Sequence, residues 1–165
     1  MALKSNVLKQ KIKQVGYWNF KDLYNFSFEW LEDHGYKVSE DEYTEKEKEN
    51  GKELNIEWVA NKKVTDYYKN TIKVKWHILY MTDAEIERDG KKEKTNKGEV
   101  KIEFIVDLVK DYEEKWEGEP LWKFLRGVYE KYIIRTTNDE YEDRLEDDAL
   151  EYIDQIKAFL QLSGK

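Results

Sequence analysis

Few side chains in this sequence have the chemistry of a catalytic or metal site. The chain contains two histidines, His34 and His77, and no cysteine. Neither histidine lies in a metal-ligand spacing such as His-Glu-x-x-His, which places two imidazoles on one helical face. The lack of cysteine excludes thiolate zinc sites, cysteine nucleophiles and disulfides. We therefore expect ordinary surface roles for both histidines.

Other catalytic motifs are also missing from the sequence. None of the serines lies in the Gly-x-Ser-x-Gly context of an α/β-hydrolase. The eight glycines are scattered, so the chain has neither a phosphate-cradling loop nor a dinucleotide fingerprint. These patterns favour a protein that is not an enzyme and uses no cofactor.

The densest group of carboxylates lies late in the sequence. Asp143, Asp147, Asp148 and Glu151 are spaced as neighbours on a helix, where they could ligate a hard cation. The chain has 36 acidic residues, however, so such groups arise from composition alone. We interpret this group as a solvated helical face and predict no metal site.

The charge of the chain narrows the class of partner. The formal net charge is −7, which argues against general nucleic-acid binding because the phosphate backbone attracts clustered cations. Lys4, Lys9, Lys11 and Lys13 lie near the start, whereas acids are concentrated in residues 139–154. These blocks could attract each other within one chain or between copies. The surplus of Lys and Glu is typical of hyperthermophile proteins, although an AT-rich genome would give the same bias.

The 165 residues fit a single domain. No segment has about 18 consecutive apolar residues, the length that crosses a bilayer. The first residues alternate too quickly with charge for a secretory signal, so we expect a cytoplasmic protein. Peripheral contact with a membrane stays open, because residues 121–135 combine aromatic and basic side chains in a helical pattern.

The elements that must position any site are indicated by hydrophobic period. Two segments alternate strictly between apolar and polar residues, which predicts β-strands with one buried face. Their apolar residues are Ile72, Val74, Trp76, Ile78 and Tyr80 in the first segment and Val100, Ile102, Phe104, Val106 and Leu108 in the second. A third strand is predicted over residues 53–64.

The register of the two alternating strands constrains the turn between them. Residues that face each other in an antiparallel hairpin have numbers with a constant sum, and that sum must be even to keep both apolar sets on one face. A two-residue loop at Asp89-Gly90 would make the sum odd. We therefore predict a three-residue loop, Arg88-Asp89-Gly90, with a bulge at Gly90 and Trp76 opposite Ile102. A tight turn with a bulge elsewhere is the alternative.

The remaining elements give the fold class. Residues 3–15 and about 19–33 are predicted as helices, as are residues 121–135 and a last helix that begins with the capping box Thr137–Glu140. Residues 91–98 are expected to form an arm or loop outside the core. We predict an α+β fold, an antiparallel sheet of three or more long strands with two N-terminal and two C-terminal helices packed mainly on one face.

Aromatic residues are the remaining outlier, at 15% of the sequence. Most fit the core, but Trp18, Phe26 and Trp30 lie away from the main apolar stripe of the second predicted helix. Because Trp is enriched at interface hot spots, we expect a non-enzymatic domain that self-associates through these side chains or binds another protein. Weaker interface candidates on the opposite strand face are Leu79, Met81, Ile105 and Val109.

An alternative function comes from a resemblance at the level of fold. A long antiparallel sheet that grips a C-terminal helix resembles the START-like helix-grip proteins, which implies a carrier of a small apolar ligand. The inward residues Trp58, Trp76, Tyr80 and Phe104 would fill the cavity such a ligand needs, so we expect a packed core. An enzyme, the third reading, would need a buried carboxylate or His77 lining a cleft.

Overall fold

The structure is a computed structural model that describes residues 3–110 and 134–163. These ranges form an α+β fold with five strands and two helices. In chain order the elements are β1 (Leu3–Trp18), α1 (Phe20–Asp33), β2 (Lys37–Lys48), β3 (Gly51–Lys63), β4 (Tyr68–Arg88), β5 (Lys91–Lys110) and α2 (Ile134–Ser163).

All five strands form one antiparallel sheet in the order β1-β5-β4-β3-β2. The two helices pack on the side where the even-numbered residues of the central strands point. There Phe104 packs edge-on against Tyr152 of α2, with ring centroids 5.7 Å apart, and Trp58 packs against Phe28 of α1 at 5.6 Å. We call this side the helix face. The opposite side, the open face, has no helix against it among the described residues.

The predicted arrangement of helices is wrong at the N-terminal end. Residues 3–18 form β1, so a single helix precedes β2. The spacing of Leu8 and Ile12 fits a helical face, but a spacing of four also places both residues on one face of a strand. Gly16, the residue that follows the predicted helix of residues 3–15, lies within β1 opposite Gly98.

The prediction for the C-terminal helices is corrected only in part. α2 begins at Ile134 and runs through the expected capping box Thr137–Glu140 without a break. Most of the other predicted C-terminal helix, residues 121–133, lies outside the described residues. The described chain therefore has five strands and two helices, rather than the predicted two N-terminal and two C-terminal helices packed mainly on one face of the sheet.

The β4–β5 hairpin has the tight turn that parity disfavoured. Arg88 pairs directly with Lys91, so the loop contains only Asp89 and Gly90 and the three-residue loop is wrong. Both loop residues have positive φ, 53° for Asp89 and 78° for Gly90. This is the backbone of a type I′ turn, which matches the twist of two paired strands and favours Asp-Gly.

A β-bulge in β4 reconciles this turn with the core. The register shifts between Leu79 and Thr82, which changes the sum of paired numbers from odd near the turn to even in the core. Trp76 therefore pairs with Ile102 as predicted, and the alternative of a bulge elsewhere is confirmed. Met81 was expected on the open face, but the extra residue turns it into the core, where it is buried.

Residues 91–98 are an ordered part of β5 that supports the start of α1. The backbone N–H of Phe20 donates to Asn96 Oδ1 at 2.9 Å, and Asn19 Nδ2 donates to the carbonyl of Lys94 at 3.3 Å. Asn19 also caps the helix, because its Oδ1 accepts from the N–H of Asp22 at 3.0 Å. The arm fixes where α1 begins and how it leaves the sheet.

Candidate functional site

The aromatic residues predicted as an interface have intramolecular partners. Trp18 is fully buried, and its indole N–H donates to a backbone carbonyl of β5 at 3.2 Å. The ring centroid of Trp30 lies 4.7 Å from that of Tyr152, and Phe26 stacks on Phe159 at 5.1 Å. The surplus apolar surface of α1 is therefore covered by α2 and by the sheet. This removes the sequence argument for placing an interface here, while self-association itself stays a prediction.

The other predicted interface residues divide between the two faces of the sheet. Leu79 pairs with Glu99 and Ile105 with Lys73, as the sequence register predicts, and both apolar side chains are half-buried on the open face. Val109 lies on the same face and is buried. Met81, the fourth of these residues, lies on the helix face, because the bulge in β4 turns its side chain into the core. The open face therefore carries separate apolar positions within a mostly charged surface.

Charged side chains in cross-strand register occupy the centre of the open face. Lys11, Glu103, Lys75 and Glu57 pair directly across β1, β5, β4 and β3. We call these four residues the alternating row, because their charges read positive, negative, positive, negative. On the edge strand β2 a further acid, Glu42, pairs with Glu57 and lies outside the alternation. Lys11 Nζ lies 3.3 Å from Glu103 Oε2. Strict alternation in β4 and β5 indicated that Lys75 and Glu103 are solvated, but the row was not predicted, since β1 was taken for a helix.

The next row along the strands is basic and neutral. It consists of Lys13, Lys101, His77 and Asn55, again paired across β1, β5, β4 and β3. The carboxylate of Glu99 pairs with both lysines of this row, with Lys13 Nζ at 3.0 Å and Lys101 Nζ at 3.9 Å. The hydrogen bond from Lys13, with further help from Lys101, lowers the pKa of Glu99.

His77 belongs to a small ion cluster at the margin of these rows. Its Nε2 lies 3.2 Å from Glu53 Oε1, and Lys48 Nζ contacts the other oxygen of the same carboxylate. The hydrogen bond from Lys48, and then that from His77, lowers the pKa of Glu53. The second histidine, His34, lies beside the end of α1, with Nδ1 2.8 Å from the carbonyl oxygen of Trp30.

The lowered pKa values of Glu53 and Glu99 predict that the free energy of unfolding depends on pH in the acid range. Their pKa in the folded chain is below the unfolded value, so the stability they contribute is complete above the unfolded pKa of about 4.3 and is lost as the pH falls through the folded pKa. We expect the double variant Glu53→Gln, Glu99→Gln to lose part of the acid slope of the unfolding free energy. Urea titrations at several pH values below 5 measure this slope. Glu87→Gln, at the end of β4, controls for the loss of a negative charge. A wild-type slope in the double variant would contradict the assignment.

The open face contains a depression of about 730 Å³ between the two rows. The charged side chains of both rows stand around it. Its floor includes Ile12, Ile56, Trp76 and Ile102, whose side chains point to the helix face, so they contribute backbone. The volume is within the range of ligand sites, which are usually apolar and enclose the ligand. A solvated depression with charged walls better suits a protein surface whose side chains interdigitate with it.

On the helix face, aromatic side chains fill the space between sheet and helices in which a helix-grip carrier would hold its ligand. The rings of Trp58 and Trp76 lie 5.3 Å apart, and Phe104 contacts Tyr152 of α2. Aromatic side chains thus occupy the centre, where the ligand of a helix-grip carrier would lie. Tyr80 was expected to join them, but its position in the bulge, with φ of 58°, leaves it 55% exposed.

Some buried polar atoms of the described core have no hydrogen-bond partner. They are Ser27 Oγ, the Tyr36 hydroxyl, Asn70 Oδ1 and Trp76 Nε1. Burial raises the pKa of Tyr36 to about 12. Unpaired buried groups of this kind reduce stability by about 1–3 kcal/mol each, unless water or another group reaches them.

Ser27 gives a direct test of this cost. Ser27→Ala removes a fully buried, unpaired hydroxyl from α1 and adds a better helix former. We expect the unfolding free energy to rise by about 1 kcal/mol in urea denaturation. Ser39→Ala, at an exposed serine of β2, should change it by less than about 0.5 kcal/mol. A loss of stability in Ser27→Ala would show that the hydroxyl has a bound partner.

The acidic residues of α2 do not come together as a cation site. Asp143, Asp147 and Glu151 are exposed and Asp148 is half-buried. Among residues 3–110 and 134–163 no group of three or more potential ligands is placed to hold a metal ion. No helix in the described part of the chain has the length and apolar character needed to cross a membrane.

The candidate surface thus consists of two charged rows, a depression between them, and separate apolar positions on the open face. Comparison of the chain with protein-family models, with curated proteins and with solved structures gives no match.

Proposed function

We propose that this protein is a non-catalytic interaction domain that binds another protein through the open face of its sheet. The observation that carries the proposal is the alternating row at the centre of that face. Mixed charges in a fixed cross-strand order suit recognition of a surface with the complementary order, because electrostatic complementarity selects partners and sets their register. Opposite charges in register also attract each other across the strands, as Lys11 and Glu103 do at 3.3 Å. A partner with the complementary order would replace the solvent above them.

The edges of the sheet are less suitable than its face for binding a partner. Every residue of β2 except Val38 is exposed, and the strand contains a bulge near Asp41 and several acids. The other edge strand, β1, has exposed lysines at positions 9, 11 and 13. Charges and bulges of this kind are how proteins prevent pairing at sheet edges. We therefore propose that the partner binds the open face, while the unpaired backbone groups of the edge strands β1 and β2 stay in contact with solvent.

A lysine footprint tests the proposal in the protein's own environment. Acetylation of exposed lysines is measured by mass spectrometry in an extract of the producing cells and in dilute purified protein. We expect Lys75 and Lys101 on the open face to be protected in the extract. Lys21 on α1 and Lys92 in the hairpin arm are exposed controls that should react equally in both. Equal reactivity of open-face and control lysines would overturn the proposal.

A further inference from the structure

We propose that the partner is a second copy of this chain, bound open face to open face about a twofold axis parallel to the strands and between β5 and β4. This inference rests on the proposed function and names the partner of the same surface. Two stacked sheets keep their strands within about 30° of each other, so an axis parallel to the strands is compatible with ordinary sheet packing. An isologous contact of this kind also closes at two copies.

The alternating row is complementary to itself under this rotation. The axis reverses the order of strands, so β1 lies over β3 of the second copy and β5 lies over β4. Lys11 then faces Glu57 of the partner subunit, and Glu103 faces Lys75 of the partner subunit, with the reciprocal pairs completed by symmetry. A row that reads positive, negative, positive, negative meets its own reverse with an opposite charge at every position.

Other orientations of the same face lose this match. A twofold axis perpendicular to the strands would place each strand over itself, so that Lys11 and Lys75 would each face the same residue of the second copy. Like charges in contact across an interface reduce affinity and suppress that arrangement. The order of charges therefore selects a single direction for the axis.

The neighbouring row is compatible with the same axis. Lys13 faces Asn55 of the partner subunit, which carries no charge. Lys101 faces His77 of the partner subunit, a ring that lies 3.2 Å from Glu53 within its own chain. Lys101 itself has the carboxylate of Glu99 at 3.9 Å. The second row thus brings no two permanent charges of like sign face to face.

The experiment is sedimentation velocity of the full chain over a range of concentrations, with charge exchange inside the row. We expect a dimer with a dissociation constant in the micromolar range that is weakened by salt, because salt screens the attraction between the charged rows as the two copies approach each other. Lys75→Glu alone and Glu103→Lys alone each bring like charges face to face at two symmetric positions. Each single variant should raise the dissociation constant at least tenfold.

The combined variants test the direction of the axis. With Lys75→Glu and Glu103→Lys in one chain, the row reads positive, positive, negative, negative, which is again complementary to its reverse, so dimers should return. A mixture of the two single variants should form a 1:1 heterodimer for the same reason. The matched control exchanges Lys92 and Glu87, a directly paired lysine and glutamate in the hairpin arm, and should leave assembly unchanged.

The outcomes separate this inference from the proposed function. A monomer at every concentration, a dimer indifferent to both single variants, or single variants that do not associate when mixed would each overturn the second-copy proposal. If lysine protection in the extract persists beside a purified monomer, the open face binds a different protein and the proposed function stands. If protection is also absent, both proposals fail.

Discussion

Replacing Trp18 by alanine is expected to lower the free energy of unfolding by about 4 kcal/mol, as truncation of large buried aromatic residues does. Trp18 ends β1 and is fully buried. Its indole N–H donates to the carbonyl of Gly98 at 3.2 Å, and its ring packs edge-on against Phe20 at a centroid distance of 6.5 Å. Truncation leaves a cavity where β1, the arm of β5 and α1 meet. Urea denaturation measures the change.

The neighbouring residue provides a matched control. Tyr17 points to the opposite side of β1, is 37% exposed, and has Lys97 Nζ 5.5 Å from its ring centroid. Tyr17→Ala should therefore lower the unfolding free energy by less than about 1 kcal/mol. Trp18→Phe keeps part of the packing and should give an intermediate value. Equal effects of Trp18→Ala and Tyr17→Ala would contradict the packing described.

Trp18 also shows what the local pattern could not predict. With residues 3–15 taken as a helix, Trp18 lay between two helices and had no partner. The sheet gives it one, because β1 pairs with β5, far along the chain. A spacing of four residues fits a helix and a strand equally, so hydrophobic period alone does not distinguish them. The same non-local packing, of α2 on α1, covers Phe26 and Trp30.

The register of β4 and β5 was predictable for a physical reason. A slip by one residue would move every apolar side chain to the wrong face, so the pair Trp76–Ile102 was correctly predicted. Parity fixes only the combined effect of turn and bulge on the register, however. A three-residue loop and a tight turn with a bulge give the same core. The preference of Asp-Gly for a type I′ turn decided between them.

The candidate surface was predictable to a similar extent. Alternation in β4 and β5 indicated that Lys75, His77, Lys101 and Glu103 lie on a solvated face, which the structure confirms. The order of charges across the face also requires the registers of β1 and β3. The register of β1 could not be predicted, because residues 3–15 were interpreted as a helix. The alternating row is therefore a product of sheet topology that no single segment reveals.

The second large effect is predicted at Gly98, which lies against the bulge of β4. Gly98→Ala is expected to lower the free energy of unfolding by about 3 kcal/mol, a magnitude typical of overpacking. A Cβ at position 98 would lie 2.9 Å from the carbonyl oxygen of Leu79 and 3.0 Å from the Cα of Met81. Both are backbone atoms of the bulge, so they can move away only if the β4–β5 ladder opens. Thermal and urea unfolding measure the loss.

Gly90→Ala is the control that measures backbone strain without a steric clash. Its φ is 78° and no atom lies within 4 Å of an added Cβ, so Gly90→Ala should reduce stability by about 1 kcal/mol through backbone strain alone. At Gly51, on the other side of the bulge, an added Cβ would lie 2.7 Å from the carbonyl carbon of Tyr80. Gly51→Ala should therefore resemble Gly98→Ala more than Gly90→Ala. Equal losses of stability in all three variants would contradict a bulge packed between Gly51 and Gly98. The register that the tight turn requires would then need another explanation.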